Sequence, residues 1–413
     1  MKRSAVLLGC LFAGMLALAD VPTIWAAPRE TVLFTFTGGN GGNPASGVVM
    51  DAAGNLYGTT YQGGKYNAGV IFELTPRTQG EWTETVLHNF TGGYDGAWPY
   101  GTLSFDNAGN LYGTTIAGGG GGCNYGCGTV FELSRSSDGK WKEQVIFVFN
   151  GKDGESPYAG VVFDGASLYG TTQYGGHFNL GSVFKLTPAV GKRYWQEEIL
   201  HSFSAFRDGT NPSSAVTLDT SGAVYGTTPT EQGSSDCVVF RLEPAANGQW
   251  KEKKLYDLGD VFGACYGALV VDTNGNVFGT TVRNEVGGAG TVFELTPSAS
   301  RWKLEVLFDF NSYFNGLYPE GGLVLDKSGS LYGTTASGGY SHNENGVVFK
   351  LSHSRPGWKE NVLYNFSGGN DGSGPIAGVV FDTLRNVYGT TYGGGNKLCQ
   401  YSQGCGTVFQ VSP

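Results

Sequence analysis

Apolar and polar positions along this chain form short runs that recur in sets of four. In the second set, apolar and β-branched residues occupy four runs of about six residues each, separated by turns rich in glycine and asparagine, at 101–106, 111–116, 128–133 and 141–149. Beyond the N-terminal segment, no run has the 3.6-residue period of an amphipathic helix. The pattern predicts an all-β chain in which each set forms a four-stranded sheet.

A tetrapeptide marks each set. The motif Tyr/Phe-Gly-Thr-Thr recurs seven times at intervals of 53–57 residues, starting at Tyr57, Tyr112, Tyr169, Tyr225, Phe278, Tyr332 and Tyr388. Internal repeats of this kind are typical of propellers and solenoids, and four strands are the content of one propeller blade. We therefore predict a seven-bladed β-propeller with four-stranded blades.

The fourth strand of the repeat predicts how the ring closes. Its tryptophan-led pattern has six copies, at Trp82, Trp141, Trp195, Trp250, Trp302 and Trp358. The seventh copy lies at the N-terminus, where residues 30–36 match residues 84–90, and the last repeat has no fourth strand of its own. We predict that residues 30–36 complete the blade formed by 376–413, within one domain spanning 30–413. Closure would remove the unpaired edges that an open ring exposes.

The N-terminal segment has the features of a signal peptide. A basic start precedes an apolar stretch at 5–18, and small residues flank a cleavage site directly after it. That stretch is shorter than the ~20 residues that span a bilayer. We predict a signal peptide at 1–19, a short linker at 20–29, and a secreted or periplasmic mature protein without a membrane span. Lipidation at Cys10 is the alternative.

Composition and charge narrow the classes of partner. Glycine accounts for 69 of 413 residues and charged residues for 15%, which fits many turns between short strands. The formal net charge is −9 and the pI is about 5.1. Phosphate groups are bound by clustered Lys and Arg, and the chain has no such cluster. We predict a monomer that binds no nucleic acid and no anionic membrane.

The six cysteines outside the predicted signal peptide indicate disulfides. An even number of cysteines in an exported protein is typical of disulfide pairing. In a propeller with this strand order, the loops after the second and fourth strands emerge on one face, and all six cysteines fall in those loops. We call it the disulfide face. We predict the pairs Cys123–Cys127, Cys399–Cys405 and Cys237–Cys265, the last replacing a proline of the other repeats. Zinc is the rival interpretation, but its usual ligand spacing is missing, so we predict no metal.

The repeat resembles a known family. The shared features are Asp-x-x-Gly-Asn-Leu-Tyr-Gly-Thr-Thr, the glycine pair in the next loop, and Gly-x-Val-Phe-x-Leu, as at 51–60, 63–64 and 128–133. They resemble the GloVer-type tandem repeat family of exported bacterial proteins, known as choice-of-anchor repeat proteins, over essentially the whole mature chain. The resemblance implies a secreted or surface repeat protein and supplies no catalytic residues to carry over. Members of the family often carry a C-terminal anchor, and we expect none after the last repeat of this chain.

Candidate functional residues lie where the repeats differ. Aromatic side chains precede the first strands at the expected channel mouth, at Trp98, Tyr100, Tyr158, Tyr266 and Tyr318. Carboxylates occupy the loops that lead into the blades, at Asp95, Asp153, Asp208 and Asp371. Flat apolar rings bordered by short polar groups suit a sugar or a peptide. We predict a carbohydrate- or protein-binding module whose partner is a glycan or an extracellular protein.

Two other functions remain open. Paired carboxylates at suitable separation can cleave glycosidic bonds, so an extracellular polysaccharide hydrolase or lyase is the first alternative. A structural or adhesive envelope protein is the second. Against catalysis, Asp-Gly is also the preferred chemistry of tight turns, and the rings could simply pack loops onto neighbouring blades. The five histidines form no triad, and no glycine-rich segment carries a phosphate-binding motif. We predict no cofactor, and binding rather than catalysis.

Overall fold

The computed structural model describes residues 28–191, 194–204, 208–229, 237–246, 248–283, 288–299, 301–340, 344–355, 357–396, 399 and 403–412. The predicted signal peptide and most of the linker lie outside these residues. The described chain forms seven separate four-stranded antiparallel sheets arranged in a ring. The prediction of an all-β, seven-bladed propeller is therefore confirmed.

Blades 1 to 6 take their four strands in chain order from the axis outward, and blade 7 takes its outermost strand from the N-terminus. Blade 1 contains β2 (Val49–Met50), β3 (Leu56–Thr60), β4 (Val70–Pro76) and β5 (Trp82–Asn89); blade 2 contains β6 (Ser104–Phe105), β7 (Leu111–Thr115), β8 (Thr129–Arg135) and β9 (Trp141–Val148); blade 3 contains β10 (Val162–Phe163), β11 (Leu168–Thr172), β12 (Ser182–Thr187) and β13 (Gln196–Ser202). Blade 4 contains β14 (Thr217–Leu218), β15 (Val224–Thr228), β16 (Val238–Pro244) and β17 (Trp250–Asp257); blade 5 contains β18 (Val270–Val271), β19 (Val277–Thr281), β20 (Thr291–Thr296) and β21 (Lys303–Asp309). Blade 6 contains β22 (Val324–Leu325), β23 (Leu331–Thr335), β24 (Val347–Ser354) and β25 (Gly357–Asn365); blade 7 contains β26 (Val380–Phe381), β27 (Val387–Thr391), β28 (Thr407–Ser412) and the N-terminal β1 (Arg29–Thr35).

The N-terminal strand closes the ring, as predicted. β1 pairs antiparallel with β28, with Arg29 opposite Ser412 and Glu30 opposite Val411. Phe36 follows β1 and is fully buried, with its ring 5.1 Å from that of Phe72 in blade 1. One short segment therefore supplies both the outer strand of blade 7 and an aromatic contact to the next blade.

The glycine and the first threonine of the tetrapeptide make similar contacts in several repeats. In blade 2, Gly113 lies against the ring of Phe131, where a Cβ would come within 2.5 Å of Cζ. The hydroxyl of Thr114 donates to the carbonyl of Ala159 in blade 3, at 2.8 Å. Equivalent bonds between blades run from Thr171 to Ser214, Thr227 to Cys265, Thr334 to Ala377 and Thr390 to Ser46. The tetrapeptide thus fits glycine against a core ring and joins neighbouring blades.

The inner strands are shorter than the sequence pattern predicts. Residues 101–106 were expected to form a strand, but only Ser104 and Phe105 do so. The preceding residues converge near the axis, where a Cβ on Gly47 would lie 2.8 Å from the carbonyl oxygen of Gly378. Glycine and alanine are required there because backbone from different blades meets without room for side chains.

One short α-helix interrupts the all-β pattern. A four-residue helix, α1 (Gly259–Phe262), lies between blades 4 and 5, and two short 3-10 helices span Thr78–Gly80 and Tyr313–Asn315. Where its counterparts have an aspartate or asparagine four residues before the proline, the loop of α1 has Val261, and it buries Leu258 and Phe262 in the core between the blades. Apolar burial therefore replaces the polar cap of the other loops.

Blades 4 and 5 are also joined differently. At other junctions, the glycine before the third strand packs on the proline of the next loop, and a Cβ on Gly69 would lie 2.7 Å from Cδ of Pro99. Cys237 and Cys265 occupy these two positions and form a disulfide, with their Cα atoms 5.7 Å apart. A covalent bond therefore stands where the other repeats have a glycine–proline contact.

Candidate functional site

The three disulfides lie on the disulfide face. They join Cys123 to Cys127, Cys237 to Cys265 and Cys399 to Cys405, with Cα separations of 5.1, 5.7 and 5.5 Å. Within the described residues, no group of three or more His, Cys, Asp or Glu side chains could hold a metal ion. No helix of that part of the chain is long and apolar enough to cross a bilayer.

The four predicted aspartates are bonded within their own loops. Asp95 accepts from the backbone N–H of Thr91 and lies 3.1 Å from Nε2 of His88. Asp208 and Asp371 bind Ser204 and Ser367 in the same way, and Asp153 binds Asn150. The carboxylates are set in separate blade junctions and are not brought together in pairs. Each one satisfies the polar groups of a loop.

Each of several fourth strands places a glutamate near such a loop. Burial, and next the charge of Asp153, raises the pKa of Glu197 to about 8. Burial likewise raises the pKa to about 7 in Glu30, Glu84 and Glu360. Blade 5 has Leu304 at this position. These carboxyl groups lie at the outer part of the blade junctions, away from the axis, so we assign them to stability.

We expect the stability of the fold to decrease between about pH 5 and pH 8. In this window the raised pKa values keep the glutamates protonated in the folded chain, while the unfolded chain, with glutamate near 4.3, has released the protons. The unfolding free energy therefore falls as pH rises through the window. Glu197→Gln removes one such group, and should stabilise by about 1–2 kcal/mol at pH 8 and have little effect at pH 5, since solvent screens a half-buried carboxyl.

Thermal unfolding across pH 5–9 measures this effect. Glu305→Gln is the matched control, because the side chain of Glu305 is 56% exposed on an outer strand. A wild-type midpoint that rises from pH 5 to pH 8, or equal effects of the two substitutions at pH 8, would contradict the assignment.

A ring of seven side chains surrounds the axis on the disulfide face. They are the residues directly after the loop proline, or after Cys265 in blade 5, and we call them the axial residues: Ala45, Tyr100, Tyr158, Ser213, Tyr266, Glu320 and Ile376. Each stands one or two positions before the glycine or alanine where inner strands meet. They vary in size and chemistry between repeats, whereas the proline or cysteine directly before them and the small residue directly after them vary little. Variation at a fixed position is the pattern expected of a recognition surface.

Aromatic rings from blades 1, 2 and 3 form a contiguous cluster at this mouth. The ring of Tyr61 lies 6.2 Å from Trp98 and 5.8 Å from Tyr100. Tyr100 lies 5.0 Å from Tyr158, and Trp98 lies 6.2 Å from Tyr125, whose side chain is 76% exposed. We call these five residues the aromatic cluster. Three of the predicted site residues, Trp98, Tyr100 and Tyr158, are therefore brought together.

The other two predicted aromatics lie on the far side of the ring. Tyr266 belongs to blade 5 and Tyr318 to blade 6, and their exposed fractions are 39% and 43%. They flank the same mouth but do not share blades with the aromatic cluster.

Trp98 and Tyr318 hold a strained backbone conformation. Both have φ of 60°, in the left-handed region that bulky residues seldom adopt. The equivalent residues in other blades are better suited to it, namely Asn43, Asn211, Ser156 and Gly374, with φ of 54–62°. Strain of this kind costs of order 1–3 kcal/mol, and it is found most often at functional positions. The fold therefore retains two large rings where asparagine or glycine would be less strained.

A single carboxyl group stands among the axial residues. Burial raises the pKa of Glu320. The pKa of Tyr100 lies above its usual range, first because the hydroxyl is buried and next because the Glu320 carboxyl lies near it, followed by Tyr158, Tyr392 and Tyr61. Residues of blades 1, 2, 3, 6 and 7 therefore converge over the axis.

A cavity of about 790 Å³ opens beside this point, between blades 6 and 7. Its lining includes the axial residue Ile376 and also Tyr392, together with Gly374, Ala336 and Asn345. Gly374 replaces the large ring that Trp98 supplies in blade 2, which leaves room for the cavity. Among the described residues, Nδ2 of Asn345 and Oγ of Ser213 are buried without a hydrogen-bond partner. The mouth thus combines an aromatic wall, one axial carboxyl group and unused polar groups with an adjacent cavity, whose lining also includes Glu344.

Sequence reasoning missed Tyr61, Tyr392 and Glu320. Tyr61 and Tyr392 directly follow the tetrapeptide, and Glu320 follows a loop proline. Aligning the seven repeats on the proline would have exposed Glu320, because it is the only acid at the axial position. No pattern along the chain brings Glu320 to Tyr100, since they lie in different repeats and meet only across the ring.

The chain matches a family by sequence. The family model described as the Gloeobacter/Verrucomicrobia repeat matches residues 24–236 and 193–409. Together these segments cover nearly the whole described chain. Among curated proteins, no sequence matches this chain.

Solved propellers resemble the chain in fold at low identity. A polysaccharide lyase, an ulvan lyase bound to a disaccharide unit of glucuronate and sulfated rhamnose, is 12% identical over 92% of this chain and 95% of its own, with a TM-score of 0.50. The xyloglucanase from Xanthomonas campestris is 15% identical over 89% of this chain and 53% of its own, with a TM-score of 0.53. At such identities the likeness concerns the fold alone.

Proposed function

Since the chain belongs to the Gloeobacter/Verrucomicrobia repeat family, whose repeat here builds one closed propeller, we propose that it is an extracellular module that binds glycans at the axial mouth of its disulfide face. The predicted signal peptide and the three disulfides favour an oxidising compartment outside the cytoplasm. We expect it to act as a monomer there, without a cofactor.

The aromatic cluster is the observation that carries this proposal. Five rings from three blades form one surface at the axis, and Trp98 within it, like Tyr318 on the far side of the mouth, keeps a strained backbone. Sugar rings present C–H faces that stack on aromatic side chains, while their hydroxyls need short polar partners. Glu320 supplies such a partner near Tyr100, and Ser213 at its axial position and Asn345 in the adjacent cavity have polar atoms without a hydrogen-bond partner. One carboxyl group and a few separate polar atoms suit the hydroxyl groups of a sugar better than the regularly spaced N–H and C=O groups of a peptide.

Two propellers of similar fold act on polysaccharides, which makes polysaccharides the first ligands to test. Fold alone does not determine function, so this likeness decides only which ligands are tested first.

Trp98→Asn is the sharpest test of the proposal. Asparagine occupies the same backbone conformation at Asn43 and Asn211, so the variant should fold with unchanged or higher Tm. We expect its affinity for whichever polysaccharide the wild type binds to fall at least ~10-fold, because a central stacking ring is lost. Leu384→Asn, which removes an exposed apolar side chain on the opposite face, is the control and should bind normally. Affinity electrophoresis against a polysaccharide panel measures both.

Unchanged binding by Trp98→Asn, and by a variant with Trp98, Tyr100 and Tyr158 all changed to alanine, would refute this site. Absence of binding to every polysaccharide would refute the function.

A polysaccharide hydrolase or lyase is the second candidate. The observation that favours it is the buried Glu320 carboxyl beside the Tyr100 hydroxyl, since a carboxyl with a raised pKa can donate a proton to a leaving group. Asp95 and Asp153, the carboxylates first considered, are bonded within their loops. Release of reducing ends or of unsaturated sugars, abolished by Glu320→Gln but retained in Asp95→Asn, would establish this candidate over pure binding.

A further inference from the structure

We propose that the axial mouth selects neutral glycans and rejects glycans that carry uronate or sulfate groups, with Glu320 as the residue that discriminates. The inference rests on the proposed glycan-binding function and names its ligand class. It is carried by the distribution of charge around the axis.

Three positions of each repeat surround the mouth: the residue before the loop proline, the axial residue after it, and the residue after the tetrapeptide. In the seven repeats, the first position holds Asn43, Trp98, Ser156, Asn211, Ala264, Tyr318 and Gly374, and the third holds Tyr61, Ile116, Gln173, Pro229, Val282, Ala336 and Tyr392. Together with the axial residues, these positions contain one carboxyl group, Glu320, and no lysine, arginine or histidine.

The nearest cation along the chain stands further out. Arg283 lies one position beyond Val282, and its side-chain carbons lie against Gly263 in the loop of blade 5, where a Cβ on that glycine would meet them at 3.0–3.2 Å. Uronate and sulfate groups are bound by cations or by several backbone N–H donors. None of these three positions carries a lysine, arginine or histidine that could bind such a group.

Burial amplifies the effect of Glu320. Glu320 is partly buried, which raises the pKa of its carboxyl group, and charges interact more strongly in such surroundings than in solvent. An ionised Glu320 repels a second anion, whereas it accepts hydrogen bonds from a pair of sugar hydroxyls. A protonated Glu320 can still donate to a hydroxyl. A neutral sugar is therefore compatible with both protonation states, and an anionic sugar with only one.

The test uses two polymers with the same backbone, hydroxyethyl cellulose and cellulose sulfate of matched length. Sulfate esters stay ionised at all working pH values, so only the protein titrates. We expect the wild type at pH 7.5 to bind the sulfated polymer at least ~10-fold more weakly than the neutral one, and Glu320→Gln to reduce this ratio to about threefold or less. Lowering the pH should strengthen the binding of sulfated polymer more in the wild type than in Glu320→Gln, in which Glu344 is the carboxyl group left in the lining of the adjoining cavity.

Glu305→Gln is the matched control, because it makes the same change of charge on an exposed outer strand. It should leave the ratio as in the wild type, since the net charge of −9 acts at long range on both proteins and is screened by salt.

The outcomes separate the two proposals. If the wild type binds the sulfated polymer as tightly as the neutral one, or if Glu320→Gln leaves the ratio unchanged, the selectivity is refuted while glycan binding stands. If no polymer of either kind binds, the glycan-binding function fails and the selectivity fails with it.

Discussion

Deletion of residues 29–36 is expected to leave most of the protein unfolded at room temperature. The segment contains the outer strand of blade 7, and Leu33 and Phe36 are buried in the core that joins blade 7 to blade 1. Each of these side chains contributes roughly 2–3 kcal/mol by burial, and the exposed edge of β28 adds a further penalty. A loss of this size is comparable with the total stability of about 5–15 kcal/mol of a typical protein. Circular dichroism and thermal unfolding measure it.

A circular permutant controls for the loss of sequence. Arg29 lies opposite Ser412, so the deleted segment can be placed after Ser412 through a turn copied from residues 136–140, which joins β8 to β9. We expect the permutant to recover a Tm within about 2 °C of the wild type, a difference worth roughly 1–2 kcal/mol for a chain of this length. A deletion that melts like the wild type, or a permutant no more stable than the deletion, would contradict closure by β1.

Gly113→Ala is expected to destabilise the fold by about 2–4 kcal/mol. A Cβ at this position would lie 2.5 Å from Cζ of Phe131 and 2.8 Å from Cδ2 of Leu103, both of which are buried side chains. Overpacking of a dense core typically costs 1–3 kcal/mol, and here the ring is held on all sides. Chemical denaturation measures the change in unfolding free energy.

Two further variants isolate the cause. Gly357→Ala also adds a methyl group to a strand glycine, but nothing lies within 4 Å of the new atom, so it should be nearly neutral. Phe131→Leu in the Gly113→Ala background removes the clashing ring edge and should recover part of the loss. Equal effects of Gly113→Ala and Gly357→Ala would show that the clash does not explain the glycine.

Blade number and ring closure could be predicted because they rest on contacts that most repeats make. The glycine against the core phenylalanine and the threonine that bonds the next blade recur with the tetrapeptide, so one repeat explains the others. The match of residues 30–36 to the fourth-strand pattern could be recognised for the same reason. The lengths of the inner strands could not be predicted, because crowding near the axis depends on all seven blades at once.

The features that distinguish the junction of blades 4 and 5 from the other repeats could be predicted only in part from the sequence. Cys265 in place of proline was recognised from the sequence, whereas Cys237 in place of glycine was not, although both are read by the same alignment of repeats. The helix α1 follows from apolar burial of Leu258 and Phe262, which depends on the space between two blades. Propensity along a four-residue stretch cannot indicate such burial.

For the candidate site, the sequence predicts which face of the propeller carries it, but not which side chains meet there. The prediction that loops with aromatics share one face follows from strand order, and Trp98, Tyr100 and Tyr158 do meet there. The convergence of Glu320, Tyr392 and Tyr61 on Tyr100 arises from blades far apart in sequence. Only the closed ring brings them together.

A crystal structure of the protein soaked with a neutral gluco-oligosaccharide tests the central claim most directly. The account predicts sugar rings stacked on Trp98, Tyr100 and Tyr158, with hydroxyls bonded to Glu320 and the chain extending towards the cavity beside Ile376. An ordered oligosaccharide elsewhere on the surface, with the axial mouth free of sugar, would contradict it.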